Sequence, residues 1–273
     1  MRRRRLAAAL KRLRDQTGMT AEEASKQVGI SKSALSRIEN AVVSVMPPVA
    51  SKLLELYGVE GADLEALVQV AREARKRGWW QAYDDVLPDW FEVYVGLEAE
   101  AEEVRIFQPQ LVPGLLQTED YARAVIRVEH PAASNDEVAR RVELRMRRQQ
   151  RDDQSRLWVV LDEATLKRPI GGADVMNAQL ERINEAGEVP GNTVQVLPFS
   201  AGEHPSMGSG FSILSFHEPT DPGVVYVETR AGALYLEGDR VRDYSAVFEQ
   251  LVAAAAGKRD SAAMLVEAAA QRR

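Results

Sequence analysis

The chain has 273 residues, 45% of them hydrophobic and 28% charged, with a net charge of −6 and no cysteine. That length and apolar content suffice for one large core or two ordinary ones, the missing cysteines exclude disulfides and thiolate-held metals, and no uncharged run approaches the ~18 apolar residues of a membrane-spanning helix. Residues 1 to 80 carry 15 lysines and arginines against 9 acidic residues, while the remaining 193 carry 20 against 32, so a basic front module precedes an acidic one.

In chain order, MRRRRLAAALKRLRDQ lacks the continuous apolar stretch and cleavage site of a secretory signal, so a cytoplasmic protein with no membrane partner is expected. Leu6, Leu10 and Leu13 recur at helical spacing, and Gly18 closes that helix. Thr20 and Glu23 form the pattern of a capping box, in which each side chain takes the other residue's amide. Ala24 and Val28 give the next helix its inward face. Gly29 allows a tight turn, Ile30 plugs the corner, and Ser31 caps a third helix whose Leu35 and Ile38 lie on one side. Two helices joined in this way read as a helix-turn-helix. With Leu35 and Ile38 inward, Ser33, Ser36 and Arg37 share a different stripe, and Lys32 lies one turn before Ser36. Short hydroxyls and cations there suit base edges and phosphates, although any solvated helix face has the same look.

The stretch TAEEASKQVGISKSALSRIEN resembles the DNA-binding core of the XRE family of phage-repressor-like regulators over roughly residues 6 to 57. The resemblance implies a five-helix domain whose third helix lies in the major groove of a double-stranded DNA operator. It places Ser31, Lys32, Ser33, Ser36 and Arg37 at base or phosphate contacts, Asn40 at a phosphate contact, and Arg14 with Glu39 in a structural ion pair, and Thr20 is counted with the DNA-binding residues. Three departures stand out: Ala21 replaces a frequent glutamine, Ala41 a frequent glycine, and VVSVMPP is apolar where relatives are basic. Arg2, Arg3, Arg4 and Arg5 read either as a solvated tail or as a basic arm on phosphates or in a minor groove.

Pro47 and Pro48 start a helix through Leu53, Leu54 and Tyr57 that Gly58 ends, and Asp63 opens another that reaches the basic end at 75 to 77. GWWQAYDDVLPDWFEVYVGLE follows, with Trp79, Trp80 and Trp90 among Tyr83, Phe91 and Tyr94. Such a cluster reads as a small core clamping two modules, or else as a ligand pocket or interface anchor.

Beyond residue 98 the expected order is an extended VRIFQPQLVPGLL, helices at EDYARAVIRV and SNDEVARRVELRMRRQQR, a strand at LWVVLDEATL and a helix at ADVMNAQLERINEAG. Strands at TVQVLPF, GFSILSFH, GVVYVET and ALYLE and two terminal helices complete it. Irregular alternation of this kind predicts an α+β domain with an antiparallel sheet. RVELRMRRQQ, QPQLVPGLLQTEDYARAV and YVETRAGALYLEG resemble the C-terminal domain of an actinobacterial group of XRE regulators, described as antitoxin-like, whose domain has no settled activity. That resemblance implies partner or effector binding, with a small acidic protein as one partner.

No nucleotide-binding or hydrolase motif is present, His130, His204 and His217 are scattered, and the Asp162 and Glu163 pair after a strand is a weak signal, so no enzyme, cofactor or metal is expected. Arg140, Arg141, Arg145, Arg147, Arg148 and Arg151 read either as a solvated helix face or, at Arg145 and Arg148 above all, as a dock for an acidic partner. The expected organisation is therefore a DNA-binding domain at 1 to 77, an aromatic hinge at 78 to 97 and an α+β domain at 98 to 273. A homodimer reading two half-sites one helical turn apart is the expected working form. Two alternatives stand beside this regulator: an antitoxin-like protein that neutralises a small partner, and a small-molecule sensor whose ligand would meet Trp79, Trp80 and Trp90.

Overall fold

The computed structural model describes residues 2–39, 43, 45–73, 78–150, 155–217 and 223–272, with backbone alone for 2–5 and 73. Two compact units divide at Trp79 and Trp80. The first comprises α1 (Arg2–Thr17), α2 (Ala21–Val28), α3 (Lys32–Glu39), α4 (Pro47–Leu56) and α5 (Gly61–Glu73). Leu6, Leu10, Ala24, Leu35, Leu53, Leu54 and Ala71 fill its core. Proline at the start of α4 suits a position whose amide has no helical partner, and Gly29 ends α2 in the left-handed region at φ 79°. The helix expected to open at Asp63 begins two residues earlier, at Gly61.

A 3₁₀ turn at Trp79–Tyr83 straddles the division. The second unit then runs α6 (Asp89–Glu100), β1 (Glu103–Gln108), α7 (Glu119–Glu129), α8 (Asn135–Arg148), β2 (Arg156–Asp162), α9 (Glu163–Lys167), α10 (Ala173–Glu188), β3 (Asn192–Leu197), β4 (Phe211–Ser215), β5 (Val224–Thr229), β6 (Gly232–Leu236), α11 (Asp239–Ala254) and α12 (Lys258–Ala270). Its architecture is α+β, around one mixed sheet of order β3-β2-β1-β4-β5-β6. The expected antiparallel meander is present at β4, β5 and β6, and β4 also runs antiparallel to β1. The β1–β2 and β2–β3 pairs are parallel instead. Each parallel pair is separated in sequence by helices, α7 and α8 in one case and α9 and α10 in the other, long enough for the crossover that parallel strands need.

Phe107, Val160, Phe211, Ile213, Val225 and Val227 line one face of the sheet and pack against Phe248 and Leu251 of α11. The β3 edge is closed by the chain itself. The Ala256 amide donates to the Val196 carbonyl (2.8 Å), the Val196 amide to Ser261 Oγ (3.0 Å), and Lys258 to the Asn192 carbonyl (2.8 Å), which removes an edge open to foreign strands.

On the opposite face, α8 holds the aromatic segment. Arg148 donates Nε and Nη2 to the two Glu98 oxygens at 2.8 Å each, and the two side chains are only 7% and 2% exposed. Its guanidinium lies 4.8 Å from the Phe91 ring centroid and 5.4 Å from that of Tyr94, so two aromatic rings stand beside the charge. Burial works against the Arg148 charge, yet the charge of Glu98 and its hydrogen bonds outweigh burial and leave the group more firmly protonated than an ordinary arginine. Nearer the N-terminus of the segment, Arg140 takes both Asp85 oxygens at 2.8 and 2.7 Å and lies over Tyr83, whose hydroxyl donates to Glu143 (2.9 Å). Arg140 hydrogen bonds keep the Asp85 carboxyl below the usual aspartate range. Trp80 packs on Gly96, where a Cβ would come within 3.2 Å of the indole, so only glycine admits the ring at that distance.

Removing Glu98 alone leaves the Arg148 charge buried without a partner. Glu98→Ala should therefore cost about 3–5 kcal/mol in urea unfolding of the second unit, and replacing Glu98 and Arg148 together by apolar residues of similar volume should cost far less. Equal losses for the single and double variants would show that packing and not charge holds the segment.

Candidate nucleic-acid interface

The helix-turn-helix is built from contacts visible along α2 and α3. Thr20 Oγ1 accepts the Glu23 amide (3.2 Å), while Glu23 Oε2 accepts the Thr20 amide (2.9 Å) and hydroxyl (2.8 Å), completing the capping box. Those backbone and hydroxyl hydrogen bonds depress the Glu23 carboxyl below its ordinary range. With a lowered folded value, the cap's contribution is complete above the usual glutamate range and is lost as acid reaches that lowered value. Ser31 Oγ accepts the Ala34 amide at 3.1 Å and caps α3. Leu35 and Ile38 are buried, Lys32, Ser33, Ser36 and Arg37 are exposed on the other side of the same helix, and Ser31 is exposed at its cap. The structure thus brings four of the five residues onto one side of α3, with Ser31 at its start. Ser31 and Ser33 hydroxyls stand 3.4 Å apart, and Arg37 has no acidic partner among the described residues. Asn40 and Ala41 lie outside the described residues, as do the basic end at 75 to 77 and Arg151; the side chains of Arg2, Arg3, Arg4 and Arg5 do as well.

Arg14 fixes α3 to α1. It donates Nε to Glu39 Oε1 (2.7 Å), Nη2 to Glu39 Oε2 (3.0 Å) and Nη1 to the Met19 carbonyl (2.8 Å), with its side chain 12% and that of Glu39 6% exposed. The hydrogen bonds that Arg14 donates to Glu39 raise the Arg14 pKa above its ordinary value. Tyr57 reaches the same pair from α4's end, but its buried hydroxyl has no hydrogen-bond partner among the described residues, and burial, with Glu39 nearby, pushes its pKa up to about 12.

The second unit corrects the reading of the arginine series as a docking face at Arg145 and Arg148. Arg148 is locked inside with Glu98, and Arg145, partly buried, donates to Gln117 Oε1 (2.9 Å). Burial first and the neighbouring Arg148 second lower the Arg145 pKa. Both side chains point inward because α8 turns them toward α6 and the loop after β1, where Gln117, Gln149 and Gln179 take up the loop's backbone carbonyls. Trp80, Phe91 and Tyr94 form part of this packing, with Phe91 stacked on Tyr94 at 5.4 Å and Tyr94 4.2 Å from Tyr226. The Trp90 carbonyl accepts the Tyr235 hydroxyl (2.5 Å), so from Trp80 onward the aromatic segment is built into the second unit and not a hinge of its own.

The carboxylates after β2 have local work: Asp162 caps α9 through the Ala164 amide (2.8 Å), and Glu163 accepts the Phe199 amide (2.9 Å). His204 comes within 3.9 Å of Asp162, and its Nδ1 accepts the Ser206 amide at 3.3 Å. Sequence reasoning missed Glu98 and Asp85 as partners of α8 and Tyr83 as the donor to Glu143 on that helix, and it missed Glu22, whose carboxylate takes Lys32 Nζ at 3.1 Å. The adjacent glutamates at 22 and 23 carried a signal, since a capping box uses only one of them.

Fold and exposed face together define a helix-turn-helix protein, a class whose presence points to a DNA-binding regulator. Residues 5–67 match the model of a helix-turn-helix domain, and residues 91–267 match the family described as domain of unknown function DUF5753. The second match covers most of the chain, which belongs to the DUF5753 family. No curated protein and no solved structure matches the chain. No described helix is long and apolar enough to cross a membrane.

The two unusual groups of the first unit should respond differently to substitution. Arg14→Met leaves the Glu39 carboxylate buried and should lower the unit's stability by about 3–5 kcal/mol, whereas Tyr57→Phe removes only an unpaired hydroxyl and should leave stability unchanged or slightly raised. Chemical denaturation of both variants checks this; a marked loss in Tyr57→Phe would reveal a hydroxyl contact.

Proposed function

We propose that the protein is a sequence-specific DNA-binding transcriptional regulator of the XRE type, acting in the cytoplasm as a homodimer on paired half-sites. The observation that carries this reading is the face of α3: Ser31, Lys32, Ser33, Ser36 and Arg37 exposed on a helix whose Leu35 and Ile38 are buried and whose far end is pinned by Arg14 and Glu39. Hydroxyls permit close approach to base edges, and Lys32 and Arg37 supply charge for phosphates. One eight-residue reading helix spans few base pairs, so a pair of them supplies the affinity and discrimination that one lacks.

The second unit serves in this reading as the effector- or partner-binding and dimerising module, without catalytic work. An acidic protein partner would not find Arg145 and Arg148 available, since both are committed inside the unit, so the antitoxin-like alternative loses the dock expected for it. A sensor pocket at the aromatic segment is likewise disfavoured by the tight packing of Trp80 on Gly96 and of Phe91 on Tyr94.

Duplex selected by the protein from a random-sequence pool should protect the segment from Ser31 to Arg37 against hydrogen exchange. If about six phosphates are neutralised per protomer, log affinity against log salt should fall with a slope near −5, and deleting Arg2 to Arg5 should flatten it. Joint replacement of Lys32, Ser33 and Arg37 by alanine should abolish sequence preference. Retention of both preference and affinity by that triple variant would sink the proposal.

A further inference from the structure

The first turn of α2 carries two adjacent glutamates with different tasks. Glu23 is consumed by the Thr20 cap, where it accepts from both the amide and the hydroxyl. Glu22 makes no cap contact among the described residues; its Oε2 takes the Nζ of Lys32, the first residue of α3, at 3.1 Å. This pair spans the turn between the two helices. In a helix-turn-helix the first helix crosses the DNA backbone and the N-terminal residues of the second reach the groove, so the pair stands on the side that would meet DNA. Both side chains are largely in solvent, Lys32 66% and Glu22 74% exposed, so neither is locked by packing and the pair can exchange for another partner.

We propose that Glu22 is an internal counter-ion that competes with DNA phosphate for Lys32 and so sets the strength and salt dependence of binding. This rests on the DNA-binding reading above. The argument is one of ion accounting. A lysine surrounded by solvent neutralises a phosphate and releases a condensed counterion from the duplex, adding about 0.9 to the magnitude of the salt slope. Lys32 starts from a carboxylate. When it moves to phosphate, the freed Glu22 carboxylate must recruit a cation, which cancels that release. Wild type should accordingly bind as though it had about one phosphate contact fewer than its cations predict. Glu22→Gln keeps the size and polarity of the side chain while removing the competition. Lys32 is a DNA-contacting residue in this scheme, and Glu22 acts on binding only through it.

The test measures binding of a fluorescent duplex, selected by the wild-type protein from a random pool, between about 50 and 300 mM salt for wild type, Glu22→Gln, Lys32→Ala and the double variant. Glu22→Gln should bind about fivefold to tenfold tighter at the lowest salt, with a slope steeper by about one, and the gain should fade as salt rises. In the Lys32→Ala background the same substitution should gain little. Both side chains are exposed, so thermal unfolding of each variant alongside wild type separates a binding change from a folding defect. An unaltered slope in Glu22→Gln overturns the assignment, as does a full gain persisting without Lys32, which would mean simple repulsion of the phosphates. A wild-type protein that binds no duplex even at the lowest salt overturns the DNA-binding reading itself, a result distinct from either of these.

Discussion

The second unit is organised around one buried charge pair, Arg148 with Glu98. Two ions removed from water cost several kcal/mol each by general estimates, so the pair persists only because its geometry is complete. Both carboxylate oxygens are used, and two aromatic rings cover the guanidinium. That completeness dictates the neighbourhood. Phe91 and Tyr94 must present their faces, α6 must run past the last turn of α8, and Tyr226 of β5 must meet Tyr94 from the sheet. Tyr94 and Tyr226 have their pKa values raised, first by burial and then by the nearby carboxylates, so both stay neutral and add no charge to a site already balanced.

A similar device appears in the first unit, at a smaller scale. Arg14 spans Glu39 and the Met19 carbonyl, joining α1, the end of α3 and the turn before α2. A short helix of eight residues has little packing of its own, and isolated helices of that length are marginal in water. Leu35 and Ile38 fix which side faces inward, while the ion pair fixes rotation and tilt at the far end. The exposed stripe is therefore presented in one orientation, as rigid recognition requires.

Local chemistry was legible in the sequence wherever the partner lay within a few residues. The capping box at Thr20 and Glu23, the glycine turn at Gly29, the cap at Ser31 and the inward Leu35 and Ile38 all follow from spacing alone. Ser134 and Glu137 also have the spacing of a capping box; Ser134 does take the Glu137 amide, but the Glu137 carboxylate turns to Arg141, four residues on, because an arginine at that distance competes with the cap. Long-range choices were not legible. Pairing β1 with β2 in parallel, 53 residues apart at Glu103 and Arg156, leaves no trace in either strand's pattern: β1 alternates polar and apolar at Glu103 to Ile106 as a half-buried strand of either direction does, and the apolar run of β2 shows burial without naming its neighbour. The arginines of α8 misled for the same reason: a run of cations reads as surface until its carboxylates, Asp85 and Glu98, are brought to it from 55 and 50 residues away.

Charge partition ties these observations to the proposed role. The excess of cations in the first 80 residues and of anions thereafter would be misleading as a count alone, because α8 concentrates arginines in the acidic half. What matters for a polyanion is which cations remain available. In the second unit Arg140, Arg141 and Arg148 are each matched to a carboxylate at 2.9 Å or less, and Arg123 pairs with Glu119. Internal pairing cancels their field at a distance and leaves the unit's surplus of acids to dominate, so it repels a phosphate backbone. On α3, by contrast, Arg37 is exposed without an acidic partner among the described residues, and Lys32 has only a solvent-exposed one. On the DNA-binding reading proposed above, the cations left available on α3 attract a duplex while the second unit's surplus of acids does not, so the unit that carries the short helix is the one that meets the phosphates.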